Sequence, residues 1–297
     1  MRAQLLSSVL LALGAHGIRI LQSNDDGWAE QYIRVLHDEL NNAGHDVILS
    51  APAENKSGTG SSDTEPSPRT QACEYNSCPA GSAAVGNNAT NPRLNWVNSF
   101  PVTSARFGVE TFAPQLWNGQ APELVVSGPN VGSNLFIEVQ FSGTVGIATY
   151  ATHDVGIPAI AFSGASSGRL AFDAPVETQS TVYAKLATQF TNAVIASGVP
   201  YLPDDVFLNV NFPKAEGDCT DPANFKWVLS RINPGLLSER DVETCGTDRL
   251  PTESSVVNAD GCQISVSVGD STDKTTASAD KQAIILQKLG GLLSCLE

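Results

Sequence analysis

Two carboxylates stand side by side at Asp25 and Asp26, inside the run Ile18-Arg19-Ile20-Leu21-Gln22-Ser23-Asn24-Asp25-Asp26-Gly27. Adjacent carboxylates concentrate hard oxygen donors of the kind that Mg²⁺ or Mn²⁺ selects. A second polar group, Ser142-Gly143-Thr144, opens an apolar helical pattern and offers N–H groups and hydroxyls to an anion. A third, Ser57-Gly58-Thr59-Gly60-Ser61-Ser62, lies in a polar stretch over residues 53–92. Loops this long within a domain tend to be functional or disordered. Each has a plainer reading: an Asp-Gly turn, a serine N-cap and a surface loop.

The elements that must position these groups follow from hydrophobic spacing. The apolar run ending at Gln22 reads as a strand, and Tyr32, Ile33, Leu36, Leu40 and Ala43 recur at helical intervals until Gly44. A second strand over 45–50 ends at Ala51-Pro52. Strand, helix and strand so close together make a βαβ unit and hence a parallel sheet. Asp25 and Asp26 then sit at the carboxyl edge, where such sheets bind ligands. The 53–92 stretch leaves the same edge. Further along, a helix is expected over 103–112. A strand from Pro122 runs into Ser127-Gly128-Pro129-Asn130, and another covers 156–163. A long helix spans 175–197, and residues 206–213 are strand-like with Asn209 and Asn211 at alternate positions. Short strands near 226–231 and 264–268 precede a closing helix at 279–294. Without an internal repeat or a clean linker, residues 18–297 read as one domain, with 205–297 as a C-terminal extension.

Composition narrows the partners. The 297 residues are 41% hydrophobic with net charge −14, and mean hydropathy is −0.06. That describes a globular chain whose surface repels nucleic-acid duplexes and anionic membranes. A small anionic substrate would need a local cation. Residues 1–17 have a basic start, a short apolar run and small residues at Ala15 and Gly17, which reads as a secretory signal peptide and an extracellular destination. Six cysteines without a CxxC pair or a nearby His argue for up to three disulfides rather than zinc. Cys73 and Cys78 are close enough to close a small loop; the pairing of the other four stays open. Asn55-Lys56-Ser57 and Asn88-Ala89-Thr90 are glycosylation sequons.

Four segments together resemble the SurE family of survival-protein nucleotidases. Its opening Ser-Asn-Asp-Asp-Gly is matched by Ser23 to Gly27, and its Ala-Pro followed by Arg-Ser-Gly by Ala51-Pro52 and Lys56-Ser57-Gly58. Its Val-Val-Ser-Gly-Ile-Asn-x-Gly-x-Asn block is matched by Val125 to Asn134, with Pro129 in place of Ile, and its Tyr-Ser-Gly-Thr-Val by Phe141 to Val145. The likeness covers 18–165 and 206–213 and is loose elsewhere. It implies a Rossmann-like, three-layer α/β/α fold with a mostly parallel sheet and a β-rich, helical C-terminal extension. It also implies metal ligation by Asp25, Asp26, Ser57 and Asn130. Phosphate contact would fall to Ser142, Gly143, Thr144 and Asn134, with Asn24 beside the catalytic carboxylates. The cofactor would be Mg²⁺ or Mn²⁺, with Ca²⁺ able to sit in its place. The implied reaction is hydrolysis of a nucleoside monophosphate or other small phosphate ester by activated water. Relatives build dimers or tetramers by exchanging the C-terminal segment, so a homodimer is within the implied range. Phe100-Pro101-Val102-Thr103-Ser104-Ala105-Arg106 departs from the family's Gly-Thr-Pro-x-Asp-Cys, so substrate preference does not transfer.

Other chemistries find no support. The sequence has no G-x-G-x-x-G after its first strand and no P-loop, and Ser57 and Ser142 lack a His base near in the pattern. An Asp-x-Asp-Gly phosphatase would need its nucleophile where Asn24 stands. His37, His45 and His153 lack a partnering motif, which sets histidine-dependent phosphatases aside. The alternative from another class is a secreted, noncatalytic metal- or ligand-binding protein on the same scaffold.

Overall fold

A computed structural model describes residues 17–166, 168–236 and 238–296; the expected signal peptide lies outside them but for Gly17. The strands are β1 (Arg19–Ser23), β2 (Asp46–Pro52), β3 (Val85–Asn87), β4 (Leu94–Val97), β5 (Leu124–Val131), β6 (Ala159–Gly164), β7 (Val206–Phe212), β8 (Lys226–Ser230), β9 (Gln263–Asp270) and β10 (Leu293–Ser294). The α-helices are α1 (Gln31–Asn42), α2 (Pro101–Phe107), α3 (Ala113–Leu116), α4 (Glu138–Phe141), α5 (Gly143–Thr149), α6 (Thr178–Ala196), α7 (Glu253–Val257) and α8 (Ala279–Leu289). The strands form one sheet in the order β10-β8-β9-β7-β6-β5-β1-β2-β4-β3. Among the described residues, neighbouring strands run parallel except in the β3–β4 and β7–β9 pairs.

Strand alternation creates the layers. Ile20, Val47, Val126, Ile160 and Phe162 face α1 and α6, where Tyr32, Leu36, Leu186 and Phe190 complete one core. Leu21, Ile48, Val125, Ala159 and Ala161 face the opposite way, onto Ala105, Val145 and Ala148 of α2 and α5. The sheet is thus sandwiched, giving the three-layer α/β/α arrangement. The strands of the C-terminal third extend the same sheet.

The central feature for function is the reversal of strand order at β1. The chain goes from β1 to β2 on one side and returns with β5 on the other. Loops leaving the carboxyl ends of β1 and β5 diverge there and open a crevice. Asp25 and Asp26 follow β1, and Asn130 lies at the end of β5.

Local expectations shift in three places. The 53–92 stretch is not wholly loop, since β3 lies within it and pairs with β4, which runs alongside β2. The helix expected over 103–112 begins at Pro101, where a missing N–H costs nothing. The closing helix stops at Leu289, and the chain returns as the short strand β10. The cysteines pair as Cys73–Cys78, Cys219–Cys262 and Cys245–Cys295.

Candidate active site

Asn24 directly follows β1, with its side chain folded back on the turn. Its Nδ2 donates to Gly27 O at 3.2 Å, and Gly27 N donates to its Oδ1 at 3.1 Å. Asn24 is fully buried. In this geometry it positions the two carboxylates and does not itself face the cleft.

Asp25 is gripped by the start of α5. Gly143 N and Thr144 N donate to its Oδ2 at 3.1 and 3.3 Å, and Thr144 Oγ1 donates to its Oδ1 at 2.8 Å. Gly143 permits this approach, because a Cβ there would lie 2.7 Å from Asp25 Cβ and 2.9 Å from Pro101 Cγ. The anion held by these donors is therefore the chain's own carboxylate. Ser142 caps the helix, accepting from Val145 N at 3.1 Å.

Asp26 Oδ2 accepts from Val131 N at 2.7 Å, which ties the β1 loop to the end of β5. Both aspartates are almost wholly buried. Burial pushes the Asp25 carboxyl up against four lowering hydrogen bonds. Asp26 goes well above the ordinary range, first through burial and then through the neighbouring charge of Asp25, with Glu30 adding to it. Such a pair favours either a shared proton or a nearby cation.

Asn130 supplies the donor that completes this picture. Its Nδ2 donates to Gly132 O at 2.7 Å, but its Oδ1 is buried without a hydrogen-bond partner. A buried carbonyl oxygen left unpaired is costly unless something binds it. Ser57 reaches the same cleft because Lys56 N donates to Asp25 O at 2.7 Å. The Ser57 hydroxyl donates to Asn55 Oδ1 at 2.7 Å and keeps its lone pairs. Asp25, Ser57, Asn130, Asn134, Ser142, Ile137, Glu138 and Phe141 are among the residues lining a cleft of about 310 Å³. None of the described residues lining it is Lys, Arg or His.

Asn134 belongs to a polar lattice under one wall. Its N–H donates to Asn211 Oδ1, its Nδ2 to Ser163 Oγ, and its carbonyl accepts from Asn209 Nδ2 and Asn211 Nδ2. Asn209 Nδ2 also donates to Glu253 Oε1 at 2.7 Å, while Phe136 N donates to Glu253 Oε2 at 3.3 Å. Glu253, Glu30 and Ser163 had no signal in the local pattern. The alternating Asn209 and Asn211 were visible, though not what they would hold.

Burial raises Glu253 from 4.5 to about 7, and Glu30 likewise to about 7. The folded protein therefore holds more protons than the unfolded chain between those pH values, so stability declines as pH rises through that window. Glu253→Gln is expected to make the decline shallower by up to about 1.4 kcal/mol per pH unit. Denaturant unfolding at pH 5, 6 and 7 measures it; an unchanged slope would show that Glu253 titrates normally.

The three histidines among the described residues are engaged elsewhere: His37 with Asp38 and Asn41, His45 with Ile18 N and Asn192, and His153 with Asp205. Fold and site thus define a doubly wound α/β protein with a buried acidic centre at the switch point of its sheet. Its family follows from its likeness to known proteins. Residues 20–228 match the family model described as survival protein SurE, and the chain belongs to the SurE family, as its four motif segments had implied. It is 35% identical to an acid phosphatase of Yarrowia lipolytica, covering 84% of this chain and 78% of that protein. It is 37% identical to a 5'-nucleotidase SurE of Gloeobacter violaceus over 66% of this chain and 64% of that one. The crystal structure of the SurE protein from Aquifex aeolicus shares the fold, with TM-score 0.59 and 22% identity over 85% of this chain and 93% of that chain.

Proposed function

We propose that this chain is a divalent-cation-dependent phosphomonoesterase acting on nucleoside monophosphates or similar small phosphate esters. The observation that carries the reading is the unpaired, buried Asn130 Oδ1 in a cleft without a lining cation, which it shares with Asp25 of the buried Asp25–Asp26 pair. The donor set fits a hard cation: Asp25, Asp26, Asn130 and Ser57 are all oxygen ligands. Among the described residues no three His, Cys, Asp or Glu side chains converge on one point, so an amide and a hydroxyl must complete such a shell. The names of the two sequence relatives, both phosphate-ester hydrolases, support the reaction class.

When bound, such a cation offsets phosphate charge and lowers the pKa of water. The chain's own groups do the positioning. Gly143 and Thr144 fix the face of Asp25, Val131 N fixes Asp26, and Asn24 holds the turn that carries both. Ser142, lining the cleft, is left to meet the phosphoryl oxygens; Gly143 and Thr144 act on them only by sharing hydrogens with Asp25. Hydrolysis adds water oxygen to phosphorus in line with the ester oxygen, which leaves and takes a proton from solvent. Three disulfides support export to an oxidising compartment. No helix among the described residues is long and apolar enough to cross a membrane.

The test is phosphate release from adenosine monophosphate and an aryl phosphate with Mg²⁺, Mn²⁺ or EDTA, at acidic and neutral pH. Release abolished by EDTA is expected. No release from folded protein under any condition would leave the noncatalytic binding protein. Asn130→Ala should raise the metal concentration giving half-maximal rate roughly 10- to 100-fold. An unaltered metal dependence would remove Asn130 from the shell.

A further inference from the structure

Two large apolar side chains are held in solvent on the wall of the acidic cleft. Ile137 is 58% exposed and Phe141 62%, and both line the cleft with Asp25, Ser57, Asn130 and Ser142. Ile137 caps α4 and Phe141 ends it, four positions on, so their side chains share one face. Elsewhere Val199 and Leu236 are exposed too, as is ordinary for single residues on any surface. Fixed, neighbouring apolar groups at a cleft mouth are a different matter and mark a binding surface.

The backbone beneath them is pinned at every turn. Gly60 N donates to Phe141 O at 2.9 Å, and Ser142 N to Glu138 O at 2.9 Å. Leu135 N donates to Glu138 Oε2 at 3.0 Å, and Gln140 Nε2 to Asp273 O at 3.0 Å. Phe136, at φ 50°, is held in the left-handed region by the bond from its N–H to buried Glu253. A chain that orders this segment yet leaves these two side chains unburied forgoes roughly 25 cal/mol per Å² of apolar surface. The cleft therefore has two unlike sides. The Asp25 carboxylate and the Asn130 and Asn134 amides lie on one side, where a phosphate's charge must be met, and Ile137 and Phe141 present an aliphatic and an aromatic face on the other, with Glu138 between them in sequence.

We propose that Phe141, supported by Ile137, determines which phosphate esters the cleft accepts. It receives the flat aromatic part of the leaving group, a nucleobase or an aryl ring, and so disfavours esters of polyols. Stacking on an aromatic ring tolerates any planar π face, whereas a hydroxylated chain would trade hydration for apolar contact. This rests on the phosphomonoesterase reading and names the substrate class of that site.

The experiment uses the full chain as wild type, Phe141→Ala and Phe141→Tyr, with adenosine monophosphate, phenyl phosphate and glycerol 2-phosphate. In Phe141→Ala the ratio of kcat/KM for adenosine monophosphate over glycerol 2-phosphate should fall roughly 5- to 150-fold, with phenyl phosphate following it. Phe141→Tyr, which keeps the ring, should restore the ratio. A fall for adenosine monophosphate but not phenyl phosphate would identify the nucleobase as the group received; the reverse would identify a simple aryl ring. Ratios unchanged for both overturn the proposal. Should they stay unchanged while sedimentation shows Phe141→Ala dissociating an oligomer, the wall is a contact between copies. Saturation-transfer NMR of adenosine monophosphate in EDTA separates this from the hydrolase reading. If wild type turns over no ester but saturates the adenine protons and Phe141→Ala does not, the wall stands and the hydrolase reading falls. Equal saturation by both proteins overturns the wall.

Discussion

Asp26→Asn should abolish metal-dependent phosphate release, by more than about 10²-fold, the scale on which even outer partners of a metal act, while leaving the protein folded. Asparagine keeps an oxygen for the Val131 N–H that now bonds Asp26 Oδ2, so the link between the β1 loop and β5 survives. What disappears is a buried charge beside Asp25 and Glu30. In the metal-free protein that charge is a burden, so the variant should melt at or above the wild-type temperature at pH 8. Adding Mn²⁺ should then separate the two proteins. Wild type gains about 2.7 kcal/mol at a hundredfold excess over Kd, and the variant gains little. Thermal melts with and without Mn²⁺, run beside phosphate release, measure all of this. Unchanged turnover would sink the assignment of Asp26, whatever the melts show.

Gly128→Ala is expected to have the largest effect on stability, about 3–5 kcal/mol of destabilisation. Gly128 has φ +97°, and a Cβ on it would lie 2.2 Å from Phe162 O and 2.9 Å from Asn130 N. Both obstacles are backbone, one of them in the neighbouring strand β6, so no side chain can rotate away. The register of β5 on β6 shifts between Ser127 and Asn130, and this irregularity carries Asn130 to the cleft. Forcing the strands apart there should weaken metal affinity as well as the fold. Gly44→Ala is the control, since Gly44 has φ +95° with nothing within 4 Å of the added carbon. It should cost about 1 kcal/mol. Denaturant midpoints for the two variants separate backbone strain from close approach, and equal losses would show that the β5–β6 contact is not tight.

The sequence by itself determined everything that depends on local pattern. Strand alternation at Ile20 and Leu21, helical spacing from Tyr32 to Leu40, and the small polar runs after β1 and β5 are short-range properties, legible without knowing what they touch. They sufficed for a parallel α/β sheet, for the edge that carries Asp25, Asp26 and Asn130, and for the family. Tertiary structure alone decided which partner each polar group finds. The even count of cysteines allowed three disulfides, but the Cys219–Cys262 and Cys245–Cys295 pairing depends on how β8, β9 and β10 meet. Gly143 and Thr144 looked ready for an outside anion; the fold spends their hydrogens on Asp25, 118 and 119 positions away. Glu253 resembled any surface glutamate until Asn209 and Phe136 closed over it. The reason is physical: backbone and side-chain periodicity is set by neighbours a few residues apart, whereas burial, hydrogen-bond satisfaction and the resulting proton affinity are set by whatever the chain brings back from far away.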